Sequence, residues 1–275
     1  MKTLGIIGAG QIGDTFIGGL QRFSPAVKCC YYEISEKRKK EIETCYGMVG
    51  EDSIAAVMEK ADLPFIAVLP QVFHKVAPEL ANHYRKDQII ISAMAGISLE
   101  ETAAPMPKGA KIARLMPNMA LKHGAGTGMI SFNEFVTEEE RKALIDLFSP
   151  LGLIMEIPER LMDAATSLAG STPGFFYVMV DAMVLGGVKI GFSREQAEKI
   201  ALWSMYGAAK MMLQSGETAA FHRDQMMAAY GTTNAGVCTL EKENFRGAVI
   251  EAIEESCRQS KALGESVSPK HTTPK

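Results

Sequence analysis

The chain has 275 residues, 47% of them apolar and 22% charged, and a net charge of −3. That length allows one large domain or two ordinary ones, and that composition suits a soluble globular protein with a real core. The charge gives no electrostatic ground for nucleic acid or an acidic membrane as partner, no apolar run approaches the roughly 20 residues that span a bilayer, and MKTLGIIGAGQIG lacks the plan of a signal peptide.

The first half alternates between short apolar runs and helical patterns. TLGIIG predicts a strand and QIGDTFIGGLQRF a helix; VKCCYYE predicts a second strand and SEKRKKEIETCYG a charged helix. Strands are expected at LPFIAVL, QIIISA, AKIARLM, TGMISF and GLIMEIP. Helices fall between them at PQVFHKVAPELANHY and TEEERKALIDLFSPLG. Repeated strand-helix-strand order implies a mostly parallel sheet covered on both faces. Past residue 160 the strand signals stop. DAATSLAGSTPGFFYVMVDAMVLGGVKIG is apolar nearly all round, as a buried helix is. SREQAEKIALWSMYGAAKMMLQSG predicts a long helix capped by Ser193, and helical stretches follow at TAAFHRDQMMAA, NAGVCTLEKE and NFRGAVIEAIEESCRQSKALGE. The expected architecture is an α/β domain of the Rossmann type over 1–158, an all-α domain over 159–265 and a loose tail over 266–275. A helix apolar on every face needs a large covering, which a second subunit can supply.

Cys29, Cys30, Cys45, Cys238 and Cys257 form no CxxC and no His/Cys cluster at metal spacing, so no metal is expected. They read as buried reduced thiols, which places the protein in the cytoplasm.

Gly8-Ala9-Gly10-Gln11-Ile12-Gly13 is a GxGxxG that follows a strand and opens a helix, the context in which it binds a dinucleotide. Gly8 permits the tight turn, Gly10 lets the pyrophosphate approach, Gly13 lets the helix pack on the strand, and the amides at the helix start, Gln11 and Ile12 among them, face the anion. Glu33 ends the second strand, where an acid takes the ribose hydroxyls of NADH and repels a 2′-phosphate. Lys37, Arg38, Lys39 and Lys40 follow; they read first as a solvated helix face, although they could reach such a phosphate. NADH and NADPH both stay open. Asn118, after Met116-Pro117, can offer its amide to nicotinamide or substrate, or simply shape a turn. Ser171 can donate to the nicotinamide carboxamide or to its own helix. Ala95-Gly96, after QIIISA, offers a small surface past which the cofactor fits. His222 and Asp224 read as solvated or capping residues, and Met179, Met183, Met205, Met211, Met212, Met226 and Met227 as adaptable helix packing.

Eight segments then line up in order: GIIGAGQIG, AVLPQ, SAMAGIS, RLMPNMA, DAATSLAGSTPGFF, SGETAAFHRD, YGTTNAG and FRGAVIEAIEESCRQS. Together they make the chain resemble the pyrroline-5-carboxylate reductases to about residue 263. The resemblance implies a Rossmann domain, a helical domain that interlocks with that of a second subunit in a homodimer or larger ring, and NAD(P)H-dependent reduction of a cyclic imine carboxylate. It implies that Pro70 lies with the cofactor residues. It further implies that the amides of Gly231, Thr232 and Thr233 bind the substrate carboxylate, and that the Thr233 hydroxyl lies near the ring nitrogen as partner or proton relay. By itself, Thr232-Thr233-Asn234 also fits a plain N-cap before a helix starting near Ala235. The chain departs from the family at Leu69, where a lysine is usual, at Met119-Ala120, around Ser171, and at Ala228-Ala229-Tyr230, where Tyr230 replaces a glycine beside the carboxylate loop. Tyr230 would narrow the pocket or stack on a larger ring. A related imine reductase with another ring substrate, and a non-catalytic dinucleotide-binding homologue, remain alternatives. A β-hydroxyacid dehydrogenase would need a lysine early on the first long helix after the boundary, whereas Lys189 comes at its far end.

Overall fold

A computed structural model describes residues 2–267. The apolar runs form strands β1 (Thr3–Ile7), β2 (Lys28–Tyr32), β3 (Leu63–Ile66), β4 (Ile89–Ser92), β5 (Lys111–Pro117), β6 (Gly126–Phe132) and β7 (Gly152–Glu156). They make one sheet in the order β2-β1-β3-β4-β5-β6-β7. Neighbours run parallel except β5 and β6, whose link through a 3₁₀ turn at Met119–His123 is too short for a crossover.

Helices α1 (Gln11–Phe23), α2 (Glu36–Tyr46), α3 (Ile54–Lys60), α4 (Phe73–His83), α5 (Leu99–Ala103) and α6 (Glu138–Phe148) join the strands. On one face Phe16 of α1 meets Phe65 of β3 at 4.5 Å and Phe148 of α6 at 5.3 Å between ring centroids. On the other, Val57, Leu80, Ile90 and Ile112 are fully buried. β3 and β4 are buried at every position, which is why they read as unbroken apolar runs. The sequence reading missed α3 and α5, at 7 and 5 residues too short for a helical period to register. Their start signals are present nonetheless: Ser53 accepts from Ala56 N, and Ser98 with Glu101 closes a capping box.

Beyond the sheet follow α7 (Met162–Ala165), a π-helical turn at Thr166–Ser171, α8 (Thr172–Lys189), α9 (Arg194–Ser215), α10 (Ala219–Met226), α11 (Thr232–Lys242) and α12 (Phe245–Val267). The chain divides into two compact units, one of residues up to 171 with 256 onward, the other of 172–255. The compact units thus divide at 171/172, past the domain boundary expected at 158/159. Met162 and Ala165 are buried with Met116 and Met129 of the sheet, so the first helical turns belong to the first unit. Ser256 and Ser260 also belong to it; their hydroxyls donate to Ser171 Oγ at 3.1 Å and Asp163 Oδ1 at 3.3 Å. In the second unit Val184 of α8 packs on Ala197 and Ala201 of α9.

Three expectations are corrected. Residues 266 and 267, expected in a loose tail, belong to α12, which runs through Val267; the rest of that expectation, 268–275, lies outside the described residues. The stretch Glu159–Lys189 is long and apolar enough by length and composition to cross a membrane, with a mean hydropathy of 1.4. Scattered Ser, Thr and Asp residues hide this when only unbroken apolar runs are sought. Only 6% of that window is buried within the chain, so the helix read as buried is largely exposed here. Of the cysteines, Cys45 and Cys238 are exposed. Burial does hold the other end of the range: it pushes the Cys29 thiol up to about 12 and that of Cys30 to about 11, so both stay protonated.

Candidate active site

The C-terminal ends of β1 to β4 open onto a cavity of about 590 Å³, the place where doubly wound sheets bind ligands. Gly8, Gly10, Gln11 and Ile12 line it from the first turn; Glu33, Pro70 and Ala95 line it from the ends of the next three strands. Four loops far apart in sequence thereby meet at one cleft. Ile34, Val72 and Val76 complete an apolar wall that the sequence reading missed. Their signal was position alone, just past β2 and β3. Leu69, 70% exposed, stands at the rim.

Gly10 has an ordinary φ of −64°, and a Cβ placed on it would meet nothing within 4 Å. The fold itself therefore does not require glycine at this position. A Cβ would instead stand in the cavity, where a pyrophosphate needs to reach the backbone. Gly13 differs: its Cβ would lie 2.4 Å from Gly8 O, so the close packing of α1 on β1 demands glycine. Gly96, at φ +75°, turns the chain after β4 just outside the lining.

Most helices with an extended N-cap residue start on a serine or threonine whose side chain bonds the first turn: Ser35, Ser53, Ser98, Thr137, Ser193 and Thr218. Two start on glycine with no side-chain cap, α1 at Gly10 and α11 at Gly231. Their first-turn amides carry no internal acceptor and a favourable dipole for an anion. In the second unit, α11 begins at Thr232 rather than near Ala235, because Gly231 and not a threonine or Asn234 takes the cap position. Thr232, Thr233 and Asn234 form its first turn. Before it, Gly231 N donates to Ala228 O at 3.0 Å, and Tyr230 is held at φ 60° with its side chain fully exposed. That left-handed conformation is natural for glycine and costs a tyrosine about 1 kcal/mol. Tyr230→Gly is expected to raise stability by about that amount in denaturant titration; a loss of stability would mean the ring has a partner.

Glu33 is held by the backbone. Its Oε2 accepts Ala9 N and its Oε1 accepts Ser35 N, each at 2.9 Å. Arg38, read as part of a solvated face, instead turns toward the glycine turn and donates to Ala9 O at 2.6 Å.

Two expected cofactor donors are committed elsewhere. Asn118 is buried; its Nδ2 donates to Thr127 Oγ1 at 2.9 Å and Ala169 O at 3.0 Å, while Oδ1 accepts Ala120 N. Pro173, four residues past Ala169, has no N–H to offer the Ala169 carbonyl, and Asn118 donates to it. Asn118→Ala is expected to cost about 2 kcal/mol by orphaning these groups, read as a shift of the urea midpoint. Ser171 donates to Thr166 O at 3.2 Å within the π turn and accepts from Ser256. His222 Nε2 lies 2.8 Å from Ser215 Oγ at the α9 terminus, and Asp224 pairs with Arg223, in agreement with their reading as capping or solvated groups. Among the described residues no group of three or more His, Cys, Asp or Glu side chains is placed to hold a metal ion.

Two family models match this chain. Residues 3–96 match the one described as NADP oxidoreductase, coenzyme F420-dependent, and residues 159–263 match pyrroline-5-carboxylate reductase dimerisation. The second begins at the boundary read from the sequence, thirteen residues before the compact units divide. The chain is 31% identical to the pyrroline-5-carboxylate reductase of Escherichia coli, over 96% of this chain and 99% of that one. It is 30% identical to that of Methanosarcina acetivorans over 96% and 98%. Among solved structures it resembles the Plasmodium falciparum pyrroline carboxylate reductase with NADP bound, at 27% identity, a TM-score of 0.85 and coverage of 96% and 98%.

Proposed function

The chain belongs to the pyrroline-5-carboxylate reductase family, and from that premise we propose that it reduces the cyclic imine of pyrroline-5-carboxylate to proline with NAD(P)H. One observation carries the placement of the reactants: the bare, glycine-started N-termini of α1 and α11. Two anions must be held, the pyrophosphate of the cofactor and the carboxylate of the substrate, and a helix N-terminus suits each.

Gly8, Gly10, Gln11 and Ile12 hold the pyrophosphate on a turn that Gly13 allows to pack closely, with Glu33 on the ribose and Pro70, Ala95 and Gly96 beside the remainder. Asn118 and Ser171 leave this set, since their donors bond the protein itself. Bound NAD(P)H supplies the hydride. The chain's own part is to orient and protonate. Amides of Thr232 and Thr233 fix the carboxylate beside Gly231, whose own N–H bonds Ala228 O; the Thr233 hydroxyl relays a proton to the ring nitrogen as the C=N bond is reduced and regains one from solvent, and Tyr230 flanks the ring.

Glu33 favours NADH, because a carboxylate at the end of β2 repels a 2′-phosphate. Glu33→Ala is expected to cut the NADH-over-NADPH preference about tenfold, about 1.4 kcal/mol, in the ratio of kcat/KM values. An unaltered ratio would assign the preference elsewhere. The protein works as a cytoplasmic homodimer through its second unit. Val178, Trp203 and Leu213 are exposed there, as are Met183, Met211 and Met226, an apolar surface that suits a partner. A monomer mass in light scattering would remove the dimer.

The function is tested with purified protein, NADH or NADPH, and a panel of cyclic imines including pyrroline-5-carboxylate and its six-membered homologue. Cofactor oxidation with pyrroline-5-carboxylate supports the reading. Oxidation with the larger ring alone would make Tyr230 the mark of a different substrate, and none with any imine would leave a binding protein.

A further inference from the structure

The glycine turn is gripped from the β2–α2 segment at four backbone atoms. Gly8 N donates to Tyr32 O at 2.9 Å, and Ala9 N to Glu33 Oε2 at 2.9 Å. Arg38 takes the next two peptides: Nε donates to Ala9 O at 2.6 Å and Nη2 to Gly10 O at 3.4 Å. The guanidinium is itself held. Nη1 bonds Glu41 Oε2 at 2.7 Å, and Nη2 lies 3.4 Å from Asp14 Oδ1. Asp14 is anchored in turn by Tyr46 Oη at 2.8 Å and Lys122 Nζ at 2.7 Å. Lys37, Arg38, Lys39 and Lys40 therefore do not present four equivalent cations. Lys39 pairs with Glu36 on the surface, whereas the Arg38 side chain is three-quarters buried among two carbonyls and two carboxylates.

We propose that Arg38 is a positioning residue that fixes the dinucleotide turn through Ala9 and Gly10, and is not a ligand of a 2′-phosphate. The inference rests on the reading of this cleft as the cofactor site. Its physical basis is directional. The carbonyls of Ala9 and Gly10 accept from Arg38, so these peptide planes cannot rotate without breaking charge-assisted bonds. With the planes fixed, the amides at the start of α1 stay aimed into the cavity before any ligand arrives, which lowers the ordering cost of binding. A planar guanidinium can bridge two carbonyls and two carboxylates at once; an ammonium cannot.

The test is calorimetric binding of ADP-ribose and of 2′-phospho-ADP-ribose, which needs no turnover, with the protein, Arg38→Ala and Arg38→Lys, and thermal unfolding of each. A positioning role predicts that both variants lose roughly tenfold in affinity for the two ligands alike, since both ligands carry the pyrophosphate, and that lysine does not rescue. Selective loss of 2′-phospho-ADP-ribose in Arg38→Ala, restored by lysine, would overturn the proposal. So would unchanged affinities in both variants. Should Arg38→Ala fail to fold, Arg38→Lys with Glu41→Gln carries the same comparison. Failure of the unaltered protein to bind ADP-ribose would sink the cofactor reading itself, a result distinct from either pattern.

Discussion

Gly10→Ala is expected to leave stability within about 0.5 kcal/mol of the parent while weakening NAD(P)H binding at least tenfold, about 1.4 kcal/mol. The two halves of this expectation have separate causes. Gly10 sits at φ −64° and ψ −157°, which alanine adopts without strain, and its Cβ would touch no protein atom within 4 Å. Folding thus has no reason to object. The same methyl group would project into the cavity at the capless start of α1, where the pyrophosphate approaches the amides. Gly13→Ala is the contrast, since its Cβ would stand 2.4 Å from Gly8 O and displace α1 from β1. Calorimetric binding with thermal unfolding separates the two. Normal affinity in Gly10→Ala would show that no ligand uses this approach.

Thr233→Ala should lower kcat/KM at least tenfold, about 1.4 kcal/mol of transition-state stabilisation, with little change in unfolding midpoint. Thr233 is the second residue of α11, inside its first turn, and Gly231 fills the cap position. The hydroxyl is therefore not needed to start the helix, and removing it tests chemistry rather than capping. The backbone amide survives the substitution, so carboxylate binding persists and the loss falls on kcat more than on KM. Thr233→Ser, which restores the hydroxyl, should recover most of the rate. Kinetics unchanged in Thr233→Ala would take the residue out of the mechanism.

The strands and long helices were legible because burial imposes a period on the chain, and because Ser193, Thr137 and Ser35 announce their helices chemically. The glycine turn was legible for a similar reason: a strand, GxGxxG and a helix are adjacent in sequence, so the local pattern contains the whole device. Glu33 was legible by its spacing from Gly13. The loop at 231–233 was singled out for a carboxylate by the resemblance alone, while its residues also allowed a plain cap; in the structure the cap position falls to Gly231.

Residues whose role depends on a partner distant in sequence were read less well. Asn118 read as an amide open to a ligand, but folding brings Thr127 Oγ1 and the Ala169 carbonyl to it. Arg38 resembled its lysine neighbours until the fold set Asp14 and Glu41 around it. The apolar helix after residue 160 was read as buried, since composition states what must be covered and not by whom. Fold class, glycine turn and family are all written in local periodicity and adjacent motifs, so they can be read without coordinates. Which polar groups remain open to a ligand cannot, since a donor's availability depends on what folding brings within 3 Å of it.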